Sequence, residues 1–136
     1  MRLDLTSLSN AVKRLDEGLV RYLKNTADTQ IRDGLIQRFE FTYELSHKML
    51  RRHLESSAAN PTEFDGADFQ YLIRTACEQG LLLSDWVQWR KFREMRSKTS
   101  HTYDEDVALE VVSGIPAFLN DARHLLESLL YKHSRP

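Results

Sequence analysis

RDGLIQRFEFTYELSHKMLRRHLE, residues 32–55, carries the pattern that decides the fold. Leu35, Phe39, Tyr43, Leu50 and Leu54 recur in steps of four and seven, so they line one side of a helix instead of alternating across a strand. Ile31 begins the same stripe. Asp28, just ahead of it, has the short acceptor side chain that caps a helix start. A helix this long that is apolar on one face needs other helices to cover that face.

Those partners lie on both sides in the chain. Toward the N-terminus, Leu8, Val12, Leu15, Leu19 and Leu23 mark a first amphipathic helix over about residues 6 to 25. Toward the C-terminus, SSAANPTEFDG breaks the pattern with small polar residues, Pro61 and Gly66. A third, short helix is predicted from about Ala67 to Glu78, burying Phe69, Leu72, Ile73 and Ala76, with Gly80 as its stop. Ser84 is placed to cap a fourth, SDWVQWRKFREMRSK, where Trp86, Trp89, Phe92 and Met95 offer apolar and aromatic surface. The last helix is predicted from about Asp104 to Tyr131, with Val107, Val111, Phe118, Ala122, Leu125 and Leu129 facing inward and Pro116 as a kink or break. No stretch alternates as a strand does. The expectation is therefore all-α: an antiparallel up-and-down four-helix bundle with one additional short helix.

Composition narrows the function classes. A chain of 136 residues with 41% apolar and 29% charged residues fits one compact domain over 1–136 with its own core, and argues against disorder. No apolar run approaches the roughly 20 residues that span a bilayer. MRLDLTSLSNAV also lacks the apolar centre of a signal peptide, so the expected location is cytoplasmic, with no membrane partner. Cys77 is the single cysteine, which rules out an internal disulfide and any paired-cysteine metal knuckle; its helical surroundings suggest a small buried side chain. A net charge of −1 argues against coating nucleic acid by bulk electrostatics. Any nucleic-acid contact must be local.

The chemically capable residues gather in RSKTSHTYDED, residues 96–106, between the last two helices. Cations on its N-terminal side and anions on its C-terminal side suit the two helix dipoles they adjoin. Thr102 with Glu105 makes a capping-box pattern and Asp104 is the alternative cap; either places Tyr103 at the start of the last helix. Arg96, His101 and Tyr103 are then expected to converge at one end of the bundle. Imidazole exchanges protons near neutrality, and the guanidinium fork matches phosphate oxygens, so Arg96 and His101 suit RNA cleavage through the 2′-hydroxyl without a metal or other cofactor. Tyr103 adds a hydroxyl that can orient a phosphate or accept a nucleotide. Ser100, Asp104, Arg93 and Lys98 stand close by as candidate supporting groups. A purely structural reading is also open: His101 bonding carbonyls, Arg96 pairing with Asp104, and Tyr103 packing on the bundle end.

RSKTSHTYDED resembles the R-x-x-x-x-H-x-Y motif of the HEPN superfamily. RDGLIQRFEFTYELSHKMLRRHLE and EQGLLLSDWVQWRKFREMRSKTSHTYDE resemble one branch of it, the nucleotidyltransferase substrate-binding proteins, which are similar to the HEPN toxins paired with a minimal nucleotidyltransferase antitoxin. The resemblance covers nearly the whole chain. It implies a bundle that dimerises, bringing two motif copies into a shared cleft, and a minimal nucleotidyltransferase as partner, in a heterotetramer where both associate. It implies that Arg96 and His101 carry metal-independent RNase activity, and that Tyr103 is where the partner attaches AMP, crowding and electrostatically blocking an RNA cleft. The alternative it implies is a non-catalytic subunit that binds the substrate of a two-component nucleotidyltransferase. The chain has no GS…D-x-D pattern, so it is not expected to be the transferase itself. His47 departs from the tryptophan of relatives, which suggests altered packing.

Weaker candidates lie elsewhere. His47, Lys48, Arg51, Arg52 and His53 read as a basic patch on the second helix, serving either an RNA path or plain solvation. Glu40 and Glu44 are one turn apart, as in di-metal bundles, but the Glu-x-x-His partners are missing and no metal is expected. Asp33, Arg38 and Glu40 are left between a dimer face and ion pairs. His124 and His133 have no partner at ligand spacing.

Overall fold

The computed structural model describes residues 2–60 and 62–134. Five α-helices follow in order: α1 (Thr6–Lys24), α2 (Thr29–Ser57), α3 (Phe69–Glu78), α4 (Trp86–Lys98) and α5 (Glu105–His133), with a 3₁₀ turn, Thr99–His101, between the last two. Among the described residues there is no strand. The all-α architecture is the expected one, although α4 is only 13 residues against 29 for α2 and α5. α1 and α2 are antiparallel, since Arg38 Nη1 donates to the Arg14 carbonyl and Thr42 Oγ1 to that of Ala11. α4 and α5 form a second antiparallel pair, tied by Lys98 and Glu110 at 2.5 Å. α2 and α5 run in the same direction. Arg32 meets Glu105 near both starts, and His53 meets His133 near both ends.

Phe118 of α5 is the hub of the core. It takes Phe39 and Phe92 edge-on, with ring centroids 4.9 and 5.2 Å away, and Trp89 and Tyr43 slightly farther out. Edge-to-face pairs add about 0.5–1.5 kcal/mol each beyond the area they bury. The apolar surface expected of α4 is therefore turned inward at Trp89 and Phe92, joining α2, α4 and α5.

Local details depart from the sequence expectations for identifiable reasons. Leu23 is 64% exposed and Tyr22 takes the buried position, because each four-residue step advances the stripe by about 40° and two in succession carry it off the inward face. Ser84 does not cap α4: its backbone N–H and hydroxyl both donate to buried Asp121, and Asp85 caps instead through the Gln88 N–H. Pro116 neither breaks nor ends α5, which runs through it. The one missing N–H bond is outweighed by the fully buried Ile115 and Phe118 around it. Gly80 stops α3 as expected, with φ of +73°, a conformation that Leu or Ser could adopt only with strain. Pro61 lies outside the described residues. Cys77 is only partly buried; its thiol faces the Ser84 carbonyl, and burial pushes its pKa up. Among the described residues, no helix is long and apolar enough to cross a membrane.

Candidate functional site

The motif turn is built from both helix ends. Thr99, the first residue after α4, is buried, and its hydroxyl donates to the Arg96 carbonyl at 2.7 Å. The same oxygen accepts from Arg96 Nη1 at 3.0 Å, so one threonine both closes the helix and orients the guanidinium. Asp104 caps α5 through the N–H groups of Asp106 and Val107, while the Thr102 hydroxyl turns back to the Thr99 carbonyl. The cap is therefore Asp104 and not the Thr102 capping box. Its own N–H bonds the His101 carbonyl at 3.1 Å, which closes the turn.

Within this frame Arg96 points toward α2. Its Nη2 donates to the Glu44 carboxylate, and Glu40 lies 3.8 Å from Nη1. The pairing with Asp104 that the alternative, structural reading allowed does not occur, because that carboxylate is committed to the helix cap. His101 and Tyr103 stand together on the exposed side, with ring centroids 6.0 Å apart and nearly perpendicular. Tyr103 is 86% exposed. Among the described residues no hydrogen bond or ring contact joins Arg96 to His101, so the three residues share one end of the bundle without forming one constellation.

The supporting candidates take separate roles. Lys98 pairs with Glu110, Arg93 lies over the Phe69 ring at 5.6 Å, and the Ser100 hydroxyl donates to the Ser97 carbonyl. Tyr43 sits beneath Arg93 and Arg96; burial pushes its hydroxyl up to about 12 against the pull of those two cations. It is a neutral hydroxyl near neutral pH.

Two site residues, Glu44 and Arg32, escaped sequence reading, and Glu40 was read only in part. Glu44 was weighed as a metal ligand and Glu40 as a metal ligand or as a dimer-face or ion-pair residue; both supply carboxylates for Arg96. Arg32 is only 6% exposed and donates from Nη1 to Glu105 at 2.6 Å, pinning the start of α5 to α2 two residues after Tyr103. Its signal was its phase, since it shares the inward face with Leu35, Ile36 and Phe39. Among the described residues no group of three or more histidine, cysteine or acidic side chains could hold a metal ion.

The basic patch expected on α2 disperses. His53 is buried, with Nδ1 2.8 Å from Nε2 of His133, so His133 does have a partner. Arg51 donates to the Phe64 and Ala67 carbonyls, and His47 packs edge-on against Phe69 at 4.8 Å. Only Lys48 and Arg52 remain solvated. Asp33 pairs with Arg32, and Arg38 with the α1 backbone.

Known proteins share this architecture. A solved structure from Haemophilus influenzae, HI0074, described as revealing the fold of a substrate binding domain of a nucleotidyltransferase, is 34% identical with a TM-score of 0.86, covering 93% of this chain and 98% of that one. A curated relative from the same organism, named "Probable ribonuclease HepT", is 38% identical over 136 aligned residues, covering 94% of this chain and 92% of its own. The profile of the family described as nucleotidyltransferase substrate binding protein like matches residues 3–131. The chain belongs to that family, the HEPN-like nucleotidyltransferase substrate-binding proteins.

Proposed function

We propose that this chain is the non-catalytic, substrate-binding partner of a minimal nucleotidyltransferase, acting as a homodimer that engages the transferase through the end of the bundle bearing Tyr103. The observation that carries the reading is the state of Arg96. A guanidinium already bonded to Glu44 and flanked by Glu40 has its charge answered within the chain, so it is not poised to meet a phosphate, and among the described residues no hydrogen bond or ring contact ties it to His101. The description of the family and that of the solved relative support the same reading.

A second reading rests on a different observation, the exposed His101–Tyr103 pair, together with the ribonuclease name of the curated relative. In it the chain is a metal-independent RNase. The RNA 2′-hydroxyl would attack the adjacent phosphorus, forming a 2′,3′-cyclic phosphate and releasing the 5′-oxygen. His101 would move the proton, and Arg96, released from Glu44, would bear the charge on the phosphate. Transfer of AMP from ATP to the Tyr103 hydroxyl by the partner, with pyrophosphate and the phenolic proton leaving, would place a bulky anion beside His101 and block RNA.

RNA incubated with the purified chain in EDTA separates the two. The binding-partner reading expects no cleavage by wild type, together with a stable complex when the chain is co-purified with a minimal nucleotidyltransferase. A cut that survives EDTA and disappears in His101→Ala would establish the RNase reading. A mass increase of one AMP per chain, lost in Tyr103→Phe, would locate the modification.

A further inference from the structure

α1 and α2 leave a groove on the face away from the aromatic core. It holds two cavities that meet at Arg38, of about 280 and about 290 Å³. The first is walled by Asn10, Arg14, Arg38 and Phe41, and the second by Arg21, Gln30 and Gly34. No acidic residue lines either one, although the chain carries 20 acidic residues against 19 basic ones. Among the described residues, no carboxylate comes within ion-pair distance of Arg14, Arg21 or Arg38. That is the reverse of Arg96, whose charge is answered twice.

Two further features keep the groove open and give it an aromatic wall. Gly18 lets the stem of Arg38 lie flat against α1, since a Cβ there would come within 3.1 Å of Arg38 Cδ. Gly34 has nothing within 4 Å of where its Cβ would be, so packing does not require this glycine, which costs a helix interior about 1 kcal/mol relative to alanine. What its absent side chain does is leave the second cavity unfilled. Phe41 is 54% exposed, and it lies one turn from Glu44 on the same helix, next to the carboxylate that holds Arg96. From Ser7 to Arg21 the groove follows α1 for about 21 Å, at roughly 1.5 Å per residue.

Guanidinium groups with no carboxylate partner track a phosphate backbone, Arg38 through the donors left after its Nη1 bonds the Arg14 carbonyl, and an exposed aromatic ring stacks a base of any sequence. A second copy of the chain fits less well, because a twofold interface here would set arginines against arginines. We propose that this groove binds a short single-stranded RNA segment, with Arg14, Arg21 and Arg38 on its phosphates and a base stacked on Phe41. This rests on the binding-partner reading and deepens it by naming the class of substrate that the chain holds.

The test is fluorescence anisotropy with a labelled oligouridylate, with His101→Ala in every protein so that the probe stays intact. Arg14→Ala with Arg21→Ala is expected to weaken binding about tenfold and to flatten the salt dependence by about 1.4 in log–log slope, two phosphate contacts at about 0.7 each. Phe41→Ala should cost about tenfold through lost stacking. Gly34→Leu, which fills the second cavity from outside the core, should weaken binding by a similar factor while circular dichroism stays that of the parent and the melting temperature does not fall. No binding by the parent, or a double arginine variant with the parent's affinity and salt slope, overturns the proposal. So does a parent dimer that becomes monomeric in the groove variants, which would make this face a contact between copies. Complex formation with the nucleotidyltransferase is scored separately, so its failure alone would sink the binding-partner reading and leave the groove standing.

Discussion

Histidines sit near both ends of the α2–α5 pair, and they are used in opposite ways. At the C-terminal end His133 Nδ1 accepts from the Leu3 N–H at 3.1 Å, which places its proton on Nε2, facing Nδ1 of His53. Both rings are committed, and His53 is buried. At the motif end the ring of His101 is exposed and stands beside that of Tyr103. One end spends its imidazoles on holding the chain together; the other displays one to solvent. The contrast separates residues that build this bundle from residues that a partner or substrate can reach.

The sharpest way to test that division is to damage the building side alone. Phe118→Ala removes the ring that Phe39, Phe92, Trp89 and Tyr43 all contact, and is expected to destabilise the fold by about 3–5 kcal/mol in urea unfolding. A loss below about 1 kcal/mol would mean that the aromatic cluster is not the keystone described here.

Acid should distinguish the two ends next. Burial, and then the charges of His133 and Lys132, hold His53 below the usual imidazole range. A base whose folded pKa is depressed contributes stability that is fully present above its unfolded value, near 6.5, and is lost as pH falls through the folded value. The melting temperature should therefore drop as pH goes from about 7.5 toward 5. His47, depressed by burial and by Arg51 and Arg93, works in the same direction. His53→Gln should flatten part of this slope, and an unchanged slope would remove the His53–His133 pair from the account.

The displayed end should barely register in stability. Arg96→Ala is expected to cost about 1 kcal/mol or less, as for an ion pair that is partly solvated. His101→Ala and Tyr103→Phe should each stay within about 0.5 kcal/mol of wild type in the same unfolding assay. A larger loss would return these residues to the building side.

What could be read from the sequence follows the same line. Local signals were legible: the stripe of α2, the Asp28 cap whose side chain accepts from Gln30 and Ile31, and the stop at Gly80 all act within one turn of the chain. Choices settled by distant partners were not. Ser84 resembles a cap, but it is drawn to Asp121, 37 residues away, and Arg96 chooses Glu44 across 52 residues over a nearby Asp104. The basic patch on α2 failed likewise, because nothing in HKMLRRH reveals that His53 and Arg51 are claimed by other segments. Sequence placed Arg96, His101 and Tyr103 at one end of the bundle; it could not reveal that one of them turns away.

The staple between Ser84 and Asp121 has a consequence of its own. Burial pushes the Asp121 carboxyl up, while the two bonds from Ser84 pull it back down. The Ser84 amide thus lies in a connection between helices, where amides usually trade their hydrogen for deuterium quickly, yet it is tied to a carboxylate that is 3% exposed. Its exchange should be slow, and its rate would act as a clock for how often the α3–α4 arm lifts from α5.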